Sequence, residues 1–351
     1  MRVETILAGA GAGPGGAALT NPLDGIAEAA REIEALGFDA ASTPETGHDP
    51  FLPLMIAAEH TQRLHLGTNV AIAFPRSPMV TAQIAWDLQR WSNGRFELGI
   101  GTQVKGHNER RYSTPWSGPA GPRMREYVEC LRAIFDSFQN GTRPSFQGKY
   151  YTYTLMTPFF NPGPIEHPNV PIYISALNPY MAKLAGEICE GVRVHPLVTA
   201  KYTADVLRPA IEAGAQKTGR LASDVDLVAT PFVITGETRD EVEAAKPGVR
   251  QHIAFYASTR TYHAVLDHHG WTEAGQTLHA YSIEGKWGEM GRLITDEMLA
   301  EFAVIGTYDE VGPQLKERWG GIASTLFLGL APGMRSDERL VRELLETLRG
   351  A

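Results

Sequence analysis

The chain has 351 residues, 43% hydrophobic and 21% charged, which is ordinary for a globular protein with enough chain for one large core. A formal net charge of −8 and the lack of any dense basic run exclude a nucleic-acid-binding surface, because phosphate binding depends on clustered Lys and Arg. No stretch reaches the roughly 20 apolar residues of a membrane span, and two distant cysteines, Cys130 and Cys189, form no disulfide framework, so a reduced cytoplasmic protein is expected.

Taken in chain order, short β-type runs alternate with amphipathic helical stretches. Met1 to Leu7, with Glu4 inside it, reads as a first strand (Val3 to Ala8) rather than a signal peptide. A helix follows over Pro22 to Leu36, with Asn21 as N-cap and Gly37 beyond its end. Next come strand Asp39 to Thr43, helix Phe51 to Gln62, strand Leu64 to Ala71, and helix Pro78 to Trp91, stopped by Asn93-Gly94. Strand Phe96 to Ile100 precedes helix Pro122 to Phe138, and no helix is expected directly after that strand. Residues from about Asn140 to Asn169 lack helical period and read as an excursion. The alternation resumes with strand Val170 to Ser175, helix Pro179 to Ile188, strand Gly191 to Val194, helix Thr199 to Thr218, strand Val225 to Ile234 and helix Asp240 to Tyr256. A second excursion covers 259 to about 296. Helix Asp309 to Arg318, strand Ala323 to Leu328 and helix Ser336 to Leu348 close the chain.

Eight strands, each followed by a helix, predict one α/β domain over 1–351, a (β/α)8 TIM barrel with both excursions at its C-terminal face. In such a barrel the C-terminal ends of the strands carry the site. After the second strand, Glu45, His48 and Asp49 offer two carboxylates and an imidazole for acid–base work, while Asp49 also suits a cap of the next helix. The third strand ends on Asn69-Val70-Ala71, by composition only a polar close to an apolar run. After the fourth strand, Gly99 and Gly101 with Thr102 and Gln103 would let backbone approach a flat ring or a phosphate. Ala176, Leu177 and Asn178 open directly into a helix, as an anion site or simply as a cap. His195 after the sixth strand fits either ligand contact or plain packing. The histidines near 263–269 match no zinc spacing, so no metal site is expected, and no nucleophile elbow, Walker loop or H-E-x-x-H occurs.

Several segments together resemble the luciferase-like monooxygenase family. They are Gly37-Phe38-Asp39 with Glu45 six residues on, Thr61 to Val70, Pro75-Arg76-Ser77-Pro78 with Ala82-Gln83, Ser92 to Gly101, and Leu184-Ala185-Gly186-Glu187 with Glu190-Gly191-Val192. The Leu-Ala-Gly-Glu segment and the Gly-Thr after the fourth strand are most similar to the branch using coenzyme F420, a deazaflavin hydride carrier. The resemblance implies an oxidoreductase moving a hydride between the deazaflavin and a small organic substrate, with an FMN-dependent monooxygenase as the alternative; a non-catalytic ligand-binding barrel and, last, a metal-dependent hydrolase are the rivals outside the family. It also implies a homodimer, as is common in the family. It implies a cis peptide at Asn69-Val70 backing the ring, with Ala71 beside it. Glu45 would lie near the ring, Thr102 and Gln103 at its edge, and Ala176, Leu177, Asn178, Gly191 and Val192 around the phosphate end. Many members carry His directly after the acidic residue. Here that place is Thr46, so His48, Glu45 alone or a residue on an excursion stands as proton donor. His263, Trp271 and Trp287 are the excursion candidates for the substrate pocket.

Overall fold

A computed structural model describes residues 1–7 and 23–350. In chain order it contains β1 (Arg2–Ile6), α1 (Ile26–Leu36), β2 (Ala40–Thr43), α2 (Leu52–His60), β3 (His65–Thr68), β4 (Ala71–Ile72), α3 (Pro78–Trp91), β5 (Phe96–Gly101), α4 (Lys105–Arg110) and α5 (Ala120–Asn140). There follow β6 (Phe146–Gln147), β7 (Thr152–Tyr153), β8 (Ile172–Ala176), α6 (Pro179–Ile188), β9 (Gly191–Val194), α7 (Ala200–Tyr202), a π-helical turn over Thr203–Leu207, α8 (Arg208–Lys217), β10 (Asp226–Ala229) and β11 (Phe232–Gly236). The last third holds α9 (Arg239–Ala257), α10 (His263–His268), α11 (Thr272–Glu284), α12 (Asp296–Phe302), β12 (Ala303–Thr307), α13 (Tyr308–Trp319), β13 (Thr325–Leu328), α14 (Pro332–Arg335) and α15 (Glu338–Arg349).

The sheet runs β3-β2-β1-β13-β10-β9-β8-β5, every pair is parallel, and β3 also pairs with β5, so the sheet closes on itself. This is the expected eight-stranded TIM barrel. The helices cover it because each carries an apolar stripe: α1 buries Ile26, Ala30, Ile33 and Leu36, and α15 buries Val341, Leu344, Leu345 and Leu348. Inside the barrel the strands turn charged residues inward as well as apolar ones. Arg193, 2% exposed, donates to both oxygens of Glu4, 1% exposed, at 2.8 and 3.0 Å. Glu97 accepts from Arg2 at 2.9 Å and lies 3.1 Å from His65 Nδ1.

Several local expectations change. The third strand is interrupted at Asn69-Val70, whose peptide is cis, and continues as β4 beside β5. The stretch Val225 to Ile234 splits into β10 in the barrel and β11 outside it. Pro231 lies at the break, since it has no N–H for the ladder. β11 pairs in parallel with β12, a strand not read from the sequence. A short helix, α4, does follow β5, and the second excursion, given no secondary structure from the sequence, is largely helical. In the first excursion, β6 and β7 form a small hairpin. The first helix begins at Ile26 behind a left-handed Gly25, while the proposed cap at Asn21 and Pro22 lies outside the described residues. Asp49 does not cap α2 itself. Its Oδ1 accepts from the Phe51 N–H at 2.8 Å, ahead of the helix, and its Oδ2 pairs with Arg76. Among the described residues no helix is long and apolar enough to cross a membrane.

Candidate active site

The C-terminal ends of β2, β3, β4 and β5 meet at one side of the mouth. Glu45 follows β2, and its side chain is 6% exposed. Its two oxygens do different work. Oε2 accepts from the Ile72 N–H at 2.7 Å and from Arg76 Nη1 at 2.6 Å, while Oε1 accepts from the Tyr112 hydroxyl at 3.3 Å. Arg76 also donates to Asp49 Oδ2 at 3.0 Å and to the Ile72 carbonyl at 3.0 Å; burial alone would lower its pKa, but the hydrogen bonds and charges of Glu45 and Asp49 outweigh that and raise it. Arg111 donates to the Thr46 carbonyl from the next loop. A carboxylate fixed this way joins the loops after β2, β4 and α4 into one wall.

The wall is close-packed at its glycines. A Cβ on Gly101 would stand 2.7 Å from Val70 Cγ2, and one on Gly99 would stand 1.9 Å from the Thr68 carbonyl oxygen. Both glycines therefore let β5 approach the interrupted strand. Gln103 adopts a left-handed φ of 54° and its Oε1 accepts from Val104 N–H. Asn108 is fully buried in α4. Its Nδ2 donates to the Thr102 and Val104 carbonyls at 3.0 and 3.2 Å, which anchors α4 onto the loop.

Across the mouth, Ala176 and Leu177 are buried and Asn178 caps α6, accepting from the Met181 N–H at 3.0 Å. His195 follows β9. Its Nδ1 accepts from the Leu197 N–H at 3.1 Å, which leaves the proton of the neutral ring on Nε2. Burial, and then the neighbouring His252, hold its pKa down at about 3, so it is neutral near pH 7. Its ring meets Tyr256 at 4.7 Å and Tyr262 at 4.4 Å between centroids, so α9 and the turn after it cover this side of the mouth.

The structure thus brings together Glu45, Asn69, Val70, Ala71, Gly101, Thr102 and Gln103, and sets Ala176, Leu177, Asn178 and His195 on the neighbouring strand ends. It does not bring Gly191 and Val192 there. Gly191 begins β9, in register with Tyr173 and Asp226 at the starts of β8 and β10, and so lies at the opposite end of the barrel. His48 is exposed on its loop. Of the excursion residues, His263 packs near His279, Trp271 stacks on His269 and Trp287 lies against Phe255. Tyr256 and Tyr262 reach the mouth instead. The sequence does not single out Tyr112 or Arg76 as site residues. Arg76 lies within the Pro75-Arg76-Ser77-Pro78 segment that carries the resemblance, whereas Tyr112 carries no local signal. Among the described residues no three His, Cys, Asp or Glu side chains gather as a metal site requires.

Comparison with known proteins gives a consistent picture. The profile of the luciferase-like monooxygenase family matches residues 1–324. An uncharacterized protein of Mycobacterium tuberculosis is 45% identical over 304 residues, covering 87% of this chain and 89% of the relative. A 5,10-methylenetetrahydromethanopterin reductase of Archaeoglobus fulgidus is 31% identical over 271 residues, covering 75% and 76%. The solved coenzyme F420 dependent tetrahydromethanopterin reductase of Methanopyrus kandleri shares the fold with a TM-score of 0.71 at 23% identity, covering 90% of this chain and 92% of that one. Monooxygenases, one of them solved with FMN, share the fold as well.

Proposed function

This chain belongs to the luciferase-like monooxygenase family, and on that footing we propose that it is an oxidoreductase moving a hydride between the deazaflavin coenzyme F420 and a small organic substrate such as an alcohol, enone or imine. The observation that carries this reading is the interrupted strand at Asn69-Val70, packed against a Gly101 that has no room for a side chain. Such a wall offers backbone and small apolar groups to a flat ring. Asn69, Val70 and Ala71 would back the ring, and Thr102 and Gln103 would meet its edge. Ala176, Leu177, Asn178 and His195 would line the far side, with His195 offering a neutral Nε2–H. Bound there, the coenzyme would supply the hydride, and the protein its orientation and electrostatics. The similarity to a reductase at 31% identity supports hydride transfer over oxygen chemistry.

The second reading keeps the same wall and places FMN on it, with molecular oxygen as co-substrate. The fold shared with an FMN-bound monooxygenase favours it. Equilibrium titration of the purified protein with each cofactor separates the two. Deazaflavin binding in the micromolar range or tighter, with weaker FMN, is expected. Tight FMN binding without measurable deazaflavin binding would falsify the hydride-transfer reading. A binding barrel without catalysis predicts saturable deazaflavin binding but no coenzyme oxidation across a panel of carbonyl and imine substrates.

A further inference from the structure

We propose that Tyr112 is the catalytic acid–base residue of this site: its phenolic Oη exchanges a proton with the substrate heteroatom, and Glu45 is the positioning residue that holds it. The inference rests on the hydride-transfer reading above, and it fills the place left by Thr46, where the sequence offers no histidine.

Three observations place Tyr112. First, its backbone is pinned at the end of α4, where its N–H donates to the His107 carbonyl at 3.0 Å, and α4 itself is anchored on the Thr102 loop by buried Asn108. Second, the Arg111 guanidinium lies 4.9 Å from the Tyr112 ring centroid while reaching the Thr46 carbonyl, so the ring is held between the loops after β2 and β5. Third, the carboxylate it touches is unevenly used. Both strong donors, at 2.6 and 2.7 Å, sit on Glu45 Oε2, and among the described residues Oε1 accepts only from the phenol, at 3.3 Å. An ordinary O–H···O bond is about 2.7–2.8 Å long, so this hydroxyl is aligned but loosely held. Glu45 is buried and occupied, whereas Tyr112 is only partly buried and reaches that carboxylate, which is itself bonded to the Ile72 N–H of β4.

The charged groups facing Tyr112 are Glu45, Arg111 and Arg76. Burial first, and the Glu45 charge second, push the phenol above its ordinary value, which keeps its proton in place near neutral pH. When a carbonyl or imine carbon accepts a hydride from reduced deazaflavin, its π pair moves to the oxygen or nitrogen. That atom takes the Tyr112 proton, and water returns one to the tyrosinate. The substrate gains two electrons and the coenzyme loses two.

The test combines Tyr112→Phe and Glu45→Gln with two readouts. In the coenzyme-loaded enzyme, Tyr112→Phe is expected to bind deazaflavin as the wild type does and to lose about 100-fold or more in kcat, the range of a missing general acid. In the protein without coenzyme, NMR of ζ-13C-labelled tyrosine is expected to show one resonance, absent in Tyr112→Phe, that titrates above free tyrosine and moves to lower pH in Glu45→Gln. Retention of kcat within twofold and of the wild-type pH profile by Tyr112→Phe overturns Tyr112 as the acid, as does a Tyr112 resonance insensitive to Glu45→Gln. Failure of the wild type to bind deazaflavin at all sinks the hydride-transfer reading, and this inference with it.

Discussion

Glu45 shows how one side chain can serve structure and chemistry at once. Its Oε2 ties the end of β2 to Ile72 in β4 and to Arg76, and the pair is mostly shielded from water. Removing the cation strands a buried carboxylate, which costs more than the pair contributes. Arg76→Gln is therefore expected to lower stability by about 3 kcal/mol in urea denaturation. Adding Glu45→Gln to that variant should restore part of the loss, because the stranded charge is then gone. An additive or larger loss in the double variant would contradict this account.

At the scale of elements, the site depends on how closely β5 approaches its neighbours. Gly99 has no space for a Cβ, and what blocks it is the Thr68 backbone rather than a flexible side chain. Gly99→Ala should then cost about 3 kcal/mol, the upper range for overpacking. Gly248, inside α9 with nothing within 4 Å, is the control: Gly248→Ala should be neutral or stabilising by up to about 1 kcal/mol. Thermal denaturation of the two variants checks the pair. The loop after β4 is clamped from outside in a similar way. Buried Arg123, in the first turn of α5, donates to the Tyr151 hydroxyl at 2.9 Å and stacks over Phe74 at 4.1 Å, joining the first excursion to the mouth. Pattern and turn chemistry made these elements legible: apolar runs, Asn178 as a cap and Gly37 as a stop are local signals. The break after Thr230, the strand β12 and the helices of the second excursion were not legible, because each depends on what packs against it.

At the scale of the molecule, the barrel interior makes stability depend on acid. Burial alone would raise the Glu97 pKa, but the hydrogen bond from His65 and the charges of Arg2 and Arg193 outweigh it and bring it to about 2, below an ordinary 4.5. A depressed carboxylate stabilises above its unfolded value, and that stability is lost as pH falls towards the folded one. His195 adds an earlier window. Its folded pKa near 3 lies below an ordinary 6.5, so the unfolded chain takes up a proton first as pH drops. The urea midpoint is expected to decline from about pH 6.5 and to fall further between 4.5 and 2. Glu97→Gln should flatten the lower window and leave the upper one, and unchanged profiles in both windows would refute the assignment.

The sequence by itself determined the eight βα units, the barrel they close into and the strand ends where the mouth lies, because apolar period and capping act within a few residues. It also marked Asn69-Val70 and Gly101, which the fold sets side by side. Only the tertiary structure decided the pairings that give the mouth its chemistry. Tyr112 meets Glu45 across 67 positions, and Arg193 meets Glu4 across 189. The same closure sent Gly191 to the far end of the barrel and brought Tyr256 and Tyr262 over His195. Such contacts are set by ring closure and strand register, which no short stretch of sequence encodes.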